Sequence, residues 1–147
     1  MSLKETIQAD MKTALKAGEK DRLGVIRMAF AAIRQVEIDS RKDIDDAGSL
    51  AVIEKLVKQR KESARQYRDA KRPELAEKEE AEIELLSAYL PAQLSADEVS
   101  AMIDEIIATT GASSIKDMGK VMGQLKARAQ GRVDMSAAGA IVRSKIT

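Results

Sequence analysis

The chain has 147 residues, 44% of them apolar and 33% charged, and a formal charge of +1. It contains neither cysteine nor histidine, and Phe30, Tyr67 and Tyr89 are its only aromatics. Disulfide frameworks, thiol chemistry, imidazole or thiolate metal sites and the commonest general base are therefore excluded, and little is left for a β-sheet to pack with. No run approaches the ~20 apolar residues of a membrane span, and Met1-Ser2-Leu3-Lys4-Glu5 lacks the apolar core of a secretory leader, so a cytoplasmic protein without membrane association is expected.

The elements follow in order as helices. Ser2 with Glu5 forms a capping box, and Leu3, Ile7, Met11 and Leu15 recur every four residues until Gly18 ends the run. A second helix begins near Asp21. Leu23, Ile26, Phe30, Ile33 and Glu37 make one stripe and Val25, Met28, Ala32 and Val36 another, which predicts a helix covered on two sides at the centre of the first core. Residues 39 to 49 read as a polar, mobile loop. A third, basic helix carries Ile53, Leu56, Val57, Ala64 and Tyr67 and runs to about Lys71. Pro73 then takes the first position of a fourth, acidic helix with Leu75, Ile83, Leu86 and Leu90 on its apolar side. These two predict an antiparallel hairpin with opposite charges facing across it. Its basic run is either a solvated, internally neutralised face or a further nucleic-acid surface.

Tyr89-Leu90-Pro91-Ala92-Gln93-Leu94-Ser95 divides the chain. Pro91 cannot continue a helix, and Ser95 with Glu98 is a second capping box. Tyr89, Leu90 and Leu94 are too apolar for a free linker, so a packed hinge is expected. Beyond it, Val99, Met102, Ile103, Ile106 and Ile107 form a helix ended by Gly111. Ser113 or Ser114 caps another with Met118, Met122, Leu125 and Ala129 inward, and Asp134 caps a last one with Ala138, Ile141, Val142 and Ile146 inward. The expected fold is all-α, with an N-terminal helical hairpin and bundle domain over residues 1–90 and a small three-helix domain over residues 91–147.

Charge is unevenly placed. Residues 1–90 hold 18 basic and 18 acidic side chains, whereas residues 115–147 hold seven basic (Lys116, Lys120, Lys126, Arg128, Arg132, Arg143, Lys145) and two acidic (Asp117, Asp134), a net +5. Within Asp117-Met118-Gly119-Lys120-Val121-Met122-Gly123, two glycines inside a helix each cost ~1 kcal/mol relative to alanine. At about 100° per residue they fall beside Lys116, Lys120 and Lys126, away from the methionine stripe. That bare strip suits either a phosphodiester backbone or close contact with a neighbouring helix. Arg132, at the corner before the last helix, points to an anion site at free helix donors, or to a solvated arginine between a C-capping glycine and an N-capping aspartate. Arg143 adds to the basic end. No cofactor or metal is expected: no phosphate-binding glycine motif, nucleophile elbow or zincin signature is present, and no carboxylate pair can be singled out for catalysis.

The series Ala81-Glu82-Ile83-Glu84-Leu85-Leu86-Ser87-Ala88-Tyr89-Leu90-Pro91-Ala92-Gln93-Leu94-Ser95, then Asp117 to Gly123, then Gly131-Arg132-Val133-Asp134, resembles the YqeY family, with Leu23-Gly24-Val25-Ile26-Arg27 and Val36-Glu37-Ile38-Asp39 in support. Its domain is shared with the tail of the B subunit of the glutamyl/aspartyl-tRNA amidotransferase. The resemblance implies a two-domain helical protein of bacteria and a role near tRNA, the catalytic sites of the amidotransferase lying in parts this chain does not contain. Where the family usually has glycine after the last motif, this chain has Met135.

Three readings follow. The first is a non-catalytic tRNA-binding or tRNA-associated accessory protein using Lys116, Gly119, Lys120, Gly123, Lys126, Arg132 and Arg143. The second is an adaptor that docks its charged hairpin, residues 54 to 84, and the adjoining loop on an amidotransferase or an aminoacyl-tRNA synthetase. The third is an amidotransferase-type carbon–nitrogen ligase.

Overall fold

A computed structural model describes residues 1–129 and 131–147. Among them the chain forms seven α-helices and no strand: α1 (Leu3–Ala17), α2 (Lys20–Ser40), α3 (Asp46–Asp69), α4 (Pro73–Ser87), α5 (Ala96–Thr110), α6 (Met118–Arg128) and α7 (Met135–Ile146), with a 3-10 turn at Ile115–Asp117 before α6. They belong to two compact units, Met1–Leu90 and Pro91–Thr147.

In the first unit, local chemistry sets the helix ends. The Ser2 hydroxyl accepts from the Glu5 N–H, Gly18 closes α1 in the left-handed conformation, and Pro73 opens α4. Ile7, Ile33, Ile53 and Leu86 are fully buried and bring all four helices to one core. α3 runs along α4, and ion pairs cross between them: Arg68 holds both oxygens of Glu80 at 2.8 Å, and Arg60 Nε meets Glu82 Oε2 at 3.1 Å. Arg60 is itself buried, and its remaining nitrogens donate to the Leu56 carbonyl and the Met28 sulfur. Tyr89 and Leu90 pack against this core, and the Tyr89 hydroxyl donates to Asp10 Oδ2 at 2.6 Å.

Two expectations are corrected here. α2 runs on to Ser40 and α3 begins at Asp46, so the polar segment between them shrinks to Arg41–Asp45. It is also tied down. Glu37 is buried at 7% exposure because Lys4 Nζ (2.7 Å), Arg34 Nη1 (3.2 Å) and the Ile44 N–H (3.0 Å) converge on its carboxylate. The Asp46 carboxylate accepts from the Leu3 N–H and Asp45 caps α3. The lysine bond and the Ile44 N–H hold Glu37 below the ordinary carboxylate value. The second stripe of α2 is covered only in part: Leu23, Ile26 and Ile33 of the first stripe are buried, and Val25 of the second is buried with Ala32 half-buried, but Met28 and Val36 stay about two-fifths exposed.

The second unit closes around Ile103, Ile106, Val121, Leu125 and Val142, with Leu94 packed against them. Ser95 and Glu98 complete a reciprocal capping box, and Gly111 ends α5 at φ 70.

Candidate nucleic-acid interface

In the second unit, α6 buries Val121 and Leu125 and half-buries Met118 and Met122. The methyl ends of those two methionines lie within reach of Gly139 on α7, where a β-carbon would meet them at 3.6 and 3.8 Å. The close helix contact in this unit is therefore made at Gly139. Gly119 and Gly123 point the other way, both are exposed, and a β-carbon on either would meet nothing within 4 Å. The reading of these glycines as helix-packing residues is thus removed, and no contact among the described residues offsets their helix cost.

Lys120 and Lys126 are exposed on this same open side of α6, and Lys116 is exposed on the 3-10 turn that leads into it, next to the half-exposed Ile115. None of the three forms an ion pair among the described residues. Arg143 is exposed on α7 one turn beyond Gly139, and α7 touches the 3-10 turn that bears Lys116. Asp117 is the one acid in the row. The Ser113 and Ser114 N–H groups donate to its carboxylate at 3.0 and 3.3 Å, which holds it below its ordinary value, with Lys120 adding to the effect.

The remaining cations are placed differently. Arg128 pairs with Glu105 at 2.7 Å and Lys145 with Asp104 at 2.8 Å, both acids standing on α5. With Asp97 and Glu98 also on α5, residues 91–147 as a whole carry seven basic and six acidic side chains. The field of the unit is thus two-sided, with acids on α5 and unpaired lysines on α6.

Arg132 is held in a turn of its own. Gly131 adopts φ 75, the Arg132 N–H donates to the Ala129 carbonyl, and the Arg132 carbonyl accepts from the Leu94 N–H at 2.9 Å. Its Nε donates to the Ala92 carbonyl at 3.0 Å, and Gln93 Nε2 donates to the Gly131 carbonyl at 2.7 Å. Two of the motifs that mark the chain, around Gln93 and around Arg132, are therefore bonded to one another. The expected free donors at the start of α7 are already taken, since Asp134 Oδ1 accepts from Ser136 and Ala137. Gln93 was not singled out from sequence because its partner lies 38 positions away.

The comparisons agree with these motifs. The family model described as "Yqey-like protein" matches residues 4–146. Similar relatives are the proteins named "Altered inheritance of mitochondria protein 41, mitochondrial" of three fungi. That of Pyrenophora tritici-repentis is 32% identical over 130 residues, covering 84% of this chain and 71% of the relative. That of Kluyveromyces lactis is 36% identical over 104 residues, covering 69% and 56%, and that of Eremothecium gossypii 35% identical over 104 residues, covering 69% and 57%. The chain thus spans a little over half the length of the last two. These relatives overturn the expectation of a bacterial cytoplasmic protein: they are fungal, and their names place them in mitochondria. The reason for the error is physical, because a solvated helical fold without a membrane-length apolar run suits any aqueous compartment and carries no address. From its motifs, its helical fold and a match that runs almost from end to end, the chain belongs to the Yqey-like protein family.

Proposed function

We propose that the chain is a non-catalytic accessory protein that binds tRNA through the open face of α6. The observation that carries this reading is the solvent-open backbone at Gly119 and Gly123, flanked by Lys116, Lys120 and Lys126 without ion-pair partners among the described residues. Helix backbone bare of side chains lets a phosphodiester approach closely, and ammonium groups on either side supply point charges for its oxygens. With three aromatics in the whole chain, all in residues 1–90, base stacking has no platform in the second unit. Recognition then rests on phosphate and on the shape of the folded RNA.

Arg132 enters this reading as a support. By fastening the Ala92–Leu94 segment to the turn before α7 it sets where α5 begins within the second unit. Arg143 supplies a fourth cation without an ion pair among the described residues. Equilibrium binding of tRNA to the full chain at increasing salt tests the reading: binding at ~50 mM salt that weakens steeply supports it, and no binding at that salt contradicts it.

A further inference from the structure

Gly119 and Gly123 change the chemistry of the α6 surface as well as its height. A helical side chain leans back over the turn before it, beside the carbonyls three and four positions earlier. No side chain therefore leans from position 119 over the Ile115 and Lys116 carbonyls, and none from position 123 over those of Gly119 and Lys120. Both glycines are exposed, with nothing within 4 Å of the place a β-carbon would take. A carbonyl oxygen has two lone pairs, of which a helix bond uses one, while the helix N–H groups are spent on the helix itself. Among the described residues no side chain donates to any of these four oxygens; the hydroxyls of Thr109, Thr110 and Ser144 bond carbonyls of α5 and α7 instead. The strip is thus an edge of acceptors with the ammonium donors of Lys116, Lys120 and Lys126 beside it. A phosphate oxygen, which only accepts, is matched by the lysines and has nothing to offer the carbonyls.

We infer that the strip reads the ribose edge of a paired RNA stem, the carbonyls flanking Gly119 and Gly123 accepting from 2′-hydroxyls while the lysines hold the phosphates on either side. The inference rests on the reading of α6 as an RNA face and names what that face selects. A 2′-hydroxyl is the donor that ribose has and deoxyribose lacks, and an A-form stem displays it in a wide, shallow minor groove. A helix lowered by two glycines lies close in such a groove. Lys116 and Lys126, about 15 Å apart along the axis, reach toward its phosphate edges. Unpaired bases are not the match, since the second unit has no aromatic side chain on which to stack them. Phosphate contact supplies the salt-dependent part of the affinity, and the carbonyls supply the preference for RNA over DNA.

Binding of the full chain to a stem of about 16 base pairs tests the inference, with one sequence made as RNA and as its 2′-fluoro analogue, and with tRNA measured alongside. The analogue keeps the A-form and the phosphates but has no 2′-hydrogen to donate. The expected result is that the RNA stem binds about tenfold more tightly than the analogue, the worth of one or two hydrogen bonds, with the same salt slope for both. The double variant Gly119→Ala, Gly123→Ala should bind the two stems alike, because its methyl groups cover the carbonyls and leave the lysines in place. Lys120→Gln should weaken both stems equally and preserve their ratio. Equal binding of the two stems by the parent chain overturns the inference and leaves phosphate binding standing. So does a preference for RNA that survives both alanines, which would put the reading of ribose elsewhere, or binding of tRNA without binding of the RNA stem. A chain that binds neither tRNA nor the stem at ~50 mM salt removes the proposed function and this inference together.

Discussion

Arg132 and Ala92 stand forty positions apart in the chain and are joined by a 3.0 Å hydrogen bond from the guanidinium Nε to the backbone carbonyl. The bond makes the arginine a fastener within the second unit. Arg132→Ala should lower the unit's stability by about 1 kcal/mol, the worth of one such bond, while the backbone bond from Leu94 N–H survives. Urea denaturation checks the loss. In the same variant the salt dependence of tRNA binding should change little, whereas a phosphate-contacting arginine would reduce its slope by about 1.

Gly119 and Gly123 should respond to alanine in a way packed glycines do not. Space is open around both, so each alanine should raise thermal stability by up to ~1 kcal/mol through helix propensity. The same methyl groups would hold a phosphodiester off the backbone, so tRNA affinity should fall as stability rises. If both alanines stabilise and leave affinity unchanged, the bare strip has no part in binding.

The Glu37 cluster ties the start of α1 and the α2–α3 connection together, and it has a pH signature. Its carboxyl is held below the ordinary value of 4.5, chiefly by Lys4 and then by the Ile44 N–H. A lowered folded-state pKa contributes stability that is fully present above the unfolded value and is lost as pH falls through the folded one. The first unit should therefore weaken as the solution is taken below about pH 4.5. Glu37→Gln should be less stable at neutral pH and show a flatter acid limb in pH-resolved melting.

Tyr89 gives the opposite limb. Burial, followed by the bond to Asp10, pushes its phenol above the ordinary value of 10.0. The stability this raised pKa contributes is present below 10.0 and declines as pH rises toward the folded-state value. Tyr89→Phe should cost about 1 kcal/mol at neutral pH, from the lost bond and the unpaired Asp10, and should blunt the alkaline loss. Unfolding midpoints between neutral and strongly alkaline pH would show it.

These cases also mark what could be read from sequence. Ser2, Gly18, Pro73, Ser95 and Gly111 announce helix ends through bonds to their own neighbours, and such local chemistry is visible in the order of residues. The α2–α3 connection was misjudged because its order comes from outside: Lys4 neutralises Glu37, and Leu3 reaches Asp46. The Gly119/Gly123 strip was legible because helical periodicity alone separates it from the methionine stripe. Arg132 was legible as a conspicuous residue, but its partner Ala92 contributes only a carbonyl, which every residue has. The pairing of Arg128 and Lys145 with α5 was hidden for a similar reason, and without it the net +5 of residues 115–147 overstates the positive field of the unit.

If lysines of the α6 face hold RNA phosphate, as proposed, the salt slope of tRNA binding measures it most directly. Four cations without ion pairs among the described residues, Lys116, Lys120, Lys126 and Arg143, predict a slope of log K against log salt of about −3 to −4. Lys120→Gln should make it shallower by about 1, while Lys145→Gln, which removes a cation already paired with Asp104, should leave it nearly unchanged. Equal slopes for the parent chain and Lys120→Gln would contradict the account.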